Sequence, residues 1–108
     1  MEQTLRQMCA ELKISRRTVQ GYEKAGLVAP SGKNKYGYLL YGAAERERIR
    51  LIHFYQKMEF RLKDIKELMD ADDWVKKEVL QAKILELEEK QMDLQELIRQ
   101  AREYIAAL

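Results

Sequence analysis

Between Leu80 and Leu108 one rhythm runs through the chain: Leu80, Ile84, Leu87, Gln91, Leu94, Ile98, Ala101, Ile105 and Leu108 advance in alternating steps of four and three. With Ile84, Gln91, Ile98 and Ile105 at the first core position of a heptad, Leu80, Leu87, Leu94, Ala101 and Leu108 fall at the second, which is the pattern of a coiled coil. No Pro or Gly interrupts the chain from Trp74 onward, so the pattern predicts one long helix, with a seam of about 43 Å at ~1.5 Å per residue. Such a helix needs a partner for its single apolar seam, most simply a second copy of the chain. Gln91, polar among apolar neighbours, then sets the register at some cost in stability. The competing reading folds this helix back onto the head of its own chain.

Upstream the pattern is shorter and denser. Leu5, Met8, Cys9 and Leu12 recur at helical spacing, and Lys13-Ile14 leaves only a tight turn before Ser15, a good helix N-cap. Arg16, Arg17, Gln20 and Lys24 are long polar side chains on the next short helix, which Gly26 closes in the left-handed conformation. Two short helices at a sharp corner outline a helix-turn-helix, in which the second helix lies in the major groove. The plainer alternative is a solvated helix whose charges only keep the domain soluble.

Residues 29–42, rich in Gly, Lys and Tyr, predict turns followed by a short strand at Tyr38-Leu39-Leu40-Tyr41, hence a two-stranded wing with a basic tip. Ala43 to Lys57 reads as a helix with Ile49 and Ile52 inward, joined by Leu51 and Tyr55, while Arg46, Arg48 and Arg50 spread around the rest. After a break near Met58-Glu59, the stripe Phe60, Leu62, Ile65, Leu68 and Met69 predicts a second wing made of a short helix. The acidic run Asp70-Ala71-Asp72-Asp73 marks a boundary and the start of the last helix. It lacks the glycine turn and distal glutamate of a calcium loop. The expected domains are a DNA-binding head, 1–70, and a linker with dimerisation helix, 71–108.

Charge sharpens this division. Residues 1–50 hold ten Lys/Arg against five Glu, a net +5, whereas the remainder nets −3, so the basic half carries the helix-turn-helix outline, as a polyanion-binding surface requires. Cys9, the single cysteine, reads as a small core residue; a reducing compartment fits, and no thiolate pair is available for a metal. His53 has no second His or Cys at ligand spacing, and Trp74 reads as a packing anchor at the helix junction. Neither a signal peptide nor a membrane-spanning run is apparent, and a cytoplasmic, non-membrane protein without cofactor is expected. No paired carboxylates, nucleophile–base set or phosphate-cradling loop suggests an enzyme.

Three segments carry a family resemblance: Thr18-Val19-Gln20-Gly21-Tyr22-Glu23-Lys24-Ala25-Gly26-Leu27-Val28-Ala29-Pro30, Gly37-Tyr38-Leu39-Leu40-Tyr41, and Phe60-Arg61-Leu62-Lys63-Asp64-Ile65-Lys66-Glu67-Leu68. In order and spacing they resemble the DNA-binding domain of MerR-family transcriptional regulators, over residues 4–69, and the long helix extends the likeness to the rest. The resemblance implies a mainly α fold: a winged helix-turn-helix head with a small β-wing, then a coiled-coil helix. It also implies a homodimer joined by an antiparallel coiled coil, on a pseudo-palindromic promoter site whose spacer is distorted so that RNA polymerase can engage. It places Tyr22 at a phosphate and Lys63 near the DNA backbone. The full set of expected DNA contacts is Arg16, Arg17, Thr18, Gln20, Tyr22 and Lys24 on the recognition helix, Lys33, Lys35, Tyr36 and Tyr38 in the wing, and Lys63.

The departures are specific. Gln20-Gly21 stand where the family has Arg-Tyr, Gly32 and Leu39 where its wing has arginines, and Glu59 where it favours glycine. Arg16, Lys33 and Lys35 supply charge from nearby positions, and Gln20 has the side-chain geometry to read adenine. The same departures motivate a rival expectation, a protein-interaction adaptor that keeps the fold but binds DNA weakly. A sensed ligand would have to sit near His53, Phe54, Tyr55 and Trp74.

Overall fold

The computed structural model describes residues 1–108, which divide into two compact units, Met1–Met69 and Asp70–Leu108. In the first unit a two-residue strand β1 (Gln3–Thr4) leads directly into α1 (Leu5–Leu12). Thr4 caps this helix reciprocally: its hydroxyl accepts from the Gln7 N–H at 3.3 Å, and the Gln7 side chain accepts from the Thr4 N–H at 3.0 Å. The helix ends at Lys13, whose left-handed backbone (φ 57°) turns the chain so that buried Ile14 plugs the corner.

Helix α2 (Arg16–Lys24) then starts on Ser15, whose hydroxyl accepts from the Thr18 N–H at 3.1 Å. Val19 and Tyr22, three residues apart, form its buried face. Gly26 at φ +75° reverses the chain, and the Leu27 N–H donates back to the Tyr22 carbonyl at 3.0 Å, seating Leu27 in the core.

The wing is a hairpin of β2 (Gly32–Lys33) and β3 (Leu39–Tyr41), with Gly32 opposite Leu40 and Lys33 opposite Leu39. β1 adds to the other side of β3, Gln3 opposite Tyr41 and Thr4 opposite Leu40, so the wing is three-stranded and antiparallel in the order β1-β3-β2. This third strand was not expected. Nor does β3 begin at Tyr38: the Tyr38 N–H donates to the Asn34 side chain and its carbonyl accepts from the Asn34 N–H, both at 3.0 Å, which spends its backbone on the tip.

Helix α3 (Ala43–Lys57) has the expected bounds and buries Ile49, Ile52 and Tyr55. Its arginines are mostly structural. Arg46 donates to the carbonyls of Tyr41 at 2.9 Å and Met1 at 2.6 Å, Arg48 donates to the Leu27 carbonyl at 2.6 Å, and Arg50 pairs with Glu47. Beyond α3, Glu59 occupies the left-handed region (φ 73°), the conformation for which a glycine is suited. The Phe60 ring meets Tyr55 edge-on at 6.1 Å, and α4 (Leu62–Asp70) buries Ile65 and Leu68. The core therefore gathers Met8, Val19, Tyr22, Leu27, Tyr41, Ile49, Ile52 and Ile65, drawn from both helices of the corner, the wing and the two following helices.

The second unit is essentially one helix, α5 (Asp73–Ala107), 35 residues and about 52 Å long. Asp72 holds the N-cap position and Asp73 opens the first turn, as the acidic boundary suggested. No residue of α5 is buried. Leu80 and Leu87 are half-buried, while Ile84, Gln91, Leu94, Ile98, Ala101, Ile105 and Leu108 are exposed.

Candidate nucleic-acid interface

On α2 the outward residues are Arg16, Arg17, Gln20 and Lys24, all exposed, of which 16, 20 and 24 follow one another at four-residue steps along one face. Gly21 lies beside them with open space around it; a Cβ there would meet nothing within 4 Å. Thr18 is half-buried and its hydroxyl is shared with Ser15 at 2.8 Å, so it serves the cap.

Tyr22 corrects the expectation placed on it. Only 1% of it is exposed, and its hydroxyl donates to the Gln56 side chain on α3 at 2.6 Å. Burial pushes its pKa up to about 12. It ties α2 to α3 and offers no phosphate contact on this surface. The sequence held the signal, since Val19 and Tyr22 share the inward face of α2.

Tyr41 performs a similar service for the wing. Fully buried at the end of β3, it donates its hydroxyl to the Glu23 carboxylate of α2. Its pKa is raised, first by burial and then by that bond and the Glu23 charge. Wing and recognition helix are thus held to each other through a charge-assisted bond.

The wing tip is rigidly built. The Asn34 side-chain oxygen accepts from the N–H groups of Tyr36 at 2.9 Å and Tyr38 at 3.0 Å, and Gly37 at φ +82° completes the turn. Lys33, Lys35, Tyr36 and Tyr38 all stand exposed, with the Lys35 ammonium 5.1 Å from the Tyr36 ring centre. Leu39 is half-buried in the sheet.

A cleft of about 540 Å³ lies between these elements, lined by Thr4, Leu5, Arg6, Arg16, Gly37, Tyr38 and Leu39. It brings the start of α2 and the wing tip together. Lys63 is exposed on the first turn of α4. One helical turn on, the Lys66 ammonium sits 3.4 Å from where a Gly26 Cβ would be, so α4 brings positive charge to the end of α2.

Two further groups have defined environments. Cys9 is half-buried; burial pushes its thiol pKa up, an effect partly offset by the nearby Arg16 charge. His53 has its pKa lowered by burial and by Lys57. With Phe54 it lines a groove of about 450 Å³ together with Leu12, Ile14, Arg50, Leu51 and Lys57, whereas Tyr55, grouped with them from sequence, is in the core.

A capped corner of two helices whose second member is basic and outward, flanked by a β-wing and a helical second wing, defines a winged helix-turn-helix protein. Comparison with known proteins narrows this class. Residues 4–72 match the family model described as MerR HTH family regulatory protein, and residues 46–104 match that described as MerR, DNA binding. The chain belongs to the MerR family.

Among curated relatives, the HTH-type transcriptional activator mta of Bacillus subtilis is 32% identical over 92% of this chain. A probable heavy metal-dependent transcriptional regulator of Haemophilus influenzae is 31% identical over 67%. This chain spans 38% and 56% of those relatives' lengths, respectively. Among solved structures, the N-terminus of MtaN, the Bacillus subtilis multidrug transporter activator, superposes with a TM-score of 0.74 at 30% identity, covering 95% of this chain and 97% of that one. HiNmlR, a MerR family regulator lacking the sensor domain and bound to promoter DNA, shares the fold with a TM-score of 0.75 at 20% identity, over 91% and 79% of the two chains. No helix is long and apolar enough to cross a membrane.

Proposed function

We propose that the chain binds double-stranded DNA in the cytoplasm as a homodimer, on a pseudo-palindromic promoter site, and regulates transcription by distorting the spacer so that RNA polymerase can engage. The observation that carries this reading is that Arg16 of the recognition helix and Tyr38 of the wing line one cleft, so helix and wing face the same body. Arg17, Gln20 and Lys24 are then the reading side chains, Lys33, Lys35 and Tyr36 the wing contacts, and Lys63 a backbone contact. Pairing runs through the α5 seam as an antiparallel coiled coil. That a DNA-bound relative of the same fold exists supports the reading.

Selection from a random duplex library tests it. An enriched inverted repeat, bound with an affinity that falls steeply as salt rises, is the expected result. A protein-interaction role is favoured by one observation: Leu39, where the family pattern has arginine, is half-buried and supplies no cation. Recovery of no motif would favour that role.

A further inference from the structure

We propose that Arg6, a residue outside the expected contact set, acts with Arg16 and Tyr38 to seat one backbone phosphate of the duplex in the cleft between the helix starts and the wing. The inference rests on the DNA-binding reading above and adds to it a residue that neither the recognition helix nor the wing supplies.

The placement begins with β1. Pairing of Thr4 with Leu40 lays the start of α1 alongside β3, so the first turn of α1 opens beside the wing tip. The first turn of α2 opens into the same cleft, and both contribute an arginine to its wall, Arg6 and Arg16. Positive backbone dipole ends favour carboxylates in a first turn. Here neither helix carries an acidic residue in its first turn. Each instead sets a guanidinium against its own positive end, an arrangement unfavourable to the empty head that becomes favourable once an anion lies between them.

The charge of the lining is of one sign. Its polar side chains are Thr4, Arg6, Arg16 and Tyr38, none of them acidic, set beside apolar Leu5 and Leu39, and the two guanidiniums offer only N–H donors. Both arginines are exposed, and no ion pair within the chain engages either. Planar guanidinium forks match the oxygens of a phosphodiester. The cleft is bordered by the exposed face of α2 and by the wing, so a strand backbone crossing from one to the other runs over it. Arg6 thereby replaces, from α1, the cation that Leu39 lacks in the wing.

Equilibrium binding to the selected operator over a range of chloride concentrations tests this, with Arg6→Ala, Arg6→Lys and wild type side by side. Arg6→Ala is expected to weaken binding about tenfold on every duplex without changing the selected motif. It is also expected to reduce the slope of log affinity against log salt by about 0.9, while Arg6→Lys keeps the slope. A scan of single methylphosphonate substitutions should find one position that weakens wild type and leaves Arg6→Ala unaffected. Because Arg6 is exposed at a positive helix end, Arg6→Ala should melt no lower than wild type in the absence of DNA. Equal slopes and affinities for wild type and Arg6→Ala would overturn the assignment while leaving DNA binding intact. Stabilisation of wild type, but not of Arg6→Ala, by inorganic phosphate at matched ionic strength, without any difference on DNA, would give the cleft to a free anion and equally overturn it. Wild type that binds no duplex would remove the underlying reading along with the proposal.

Discussion

Tyr41→Phe isolates the bond that holds the wing to the recognition helix. Tyr41 is fully buried, and its ring stays in place as Phe, so the substitution leaves no cavity and removes only the hydroxyl that donates to Glu23. A hydrogen bond to a charged group contributes about 1.5–3 kcal/mol, and the carboxylate left behind loses its partner in a part-buried setting. A loss of about 2 kcal/mol is therefore expected, which for a head of this size lowers the melting temperature by about 8–16 °C. Urea unfolding at fixed protein concentration reads it directly, since association would otherwise make stability concentration-dependent. Glu23→Gln keeps an acceptor and should cost less. The double variant should cost less than the sum of the two single losses, because both remove the same interaction. A Tyr41→Phe protein within about 0.5 kcal/mol of wild type would refute this account of the wing's attachment, as would strict additivity of the pair.

Three other outcomes are expected. Gly21→Ala should raise stability by about 1 kcal/mol, since the site is helical with no atom in the way of a Cβ; a fall in the urea midpoint would contradict the open space seen there. The pKa values of Tyr22, Tyr41 and Tyr55 are all raised above the ordinary 10.0. Their contribution is thus complete below pH 10 and is lost as pH rises beyond it, by up to about 1.4 kcal/mol per pH unit for each tyrosine. Unfolding free energies that stay level from pH 9 to 11.5 would contradict those burials. Finally, Ile98→Asp places a charge in the proposed seam, where Ile98 is 51% exposed in the single chain. Losing the burial of two isoleucines in a symmetric pair, about 4 kcal/mol, should raise the dissociation constant about a thousandfold by sedimentation; unchanged association would remove Ile98 from the interface.

The helices were legible because their signals are local. Ser15 and Gly26 bracket α2, the stripe from Ile49 to Tyr55 marks the inner face of α3, and the four-and-three rhythm announces α5. What escaped depends on residues far apart in sequence. Gln3 and Thr4 have no strand pattern of their own and become a strand only because β3 lies beside them. Arg46 and Arg48 look like surface charge until the carbonyls of Tyr41 and Leu27 are brought within reach. Tyr22 differs: the family resemblance implies a phosphate contact there, whereas its three-residue spacing from Val19 puts it on the inward face. Arg6 carries no local sign of its place, because only the pairing of the strand before it brings it to the cleft.

The pairing of Gln3 with Tyr41 also orders events as the chain emerges from the ribosome. Gln3 and Thr4 stay unpaired until the polypeptide has been made through position 41 and the long intervening loop can close. β1 is then among the last elements to settle, and a bulky group attached just before Gln3 would sit beside the wing and burden that late step. A tag placed there would perturb maturation as well as access to the cleft.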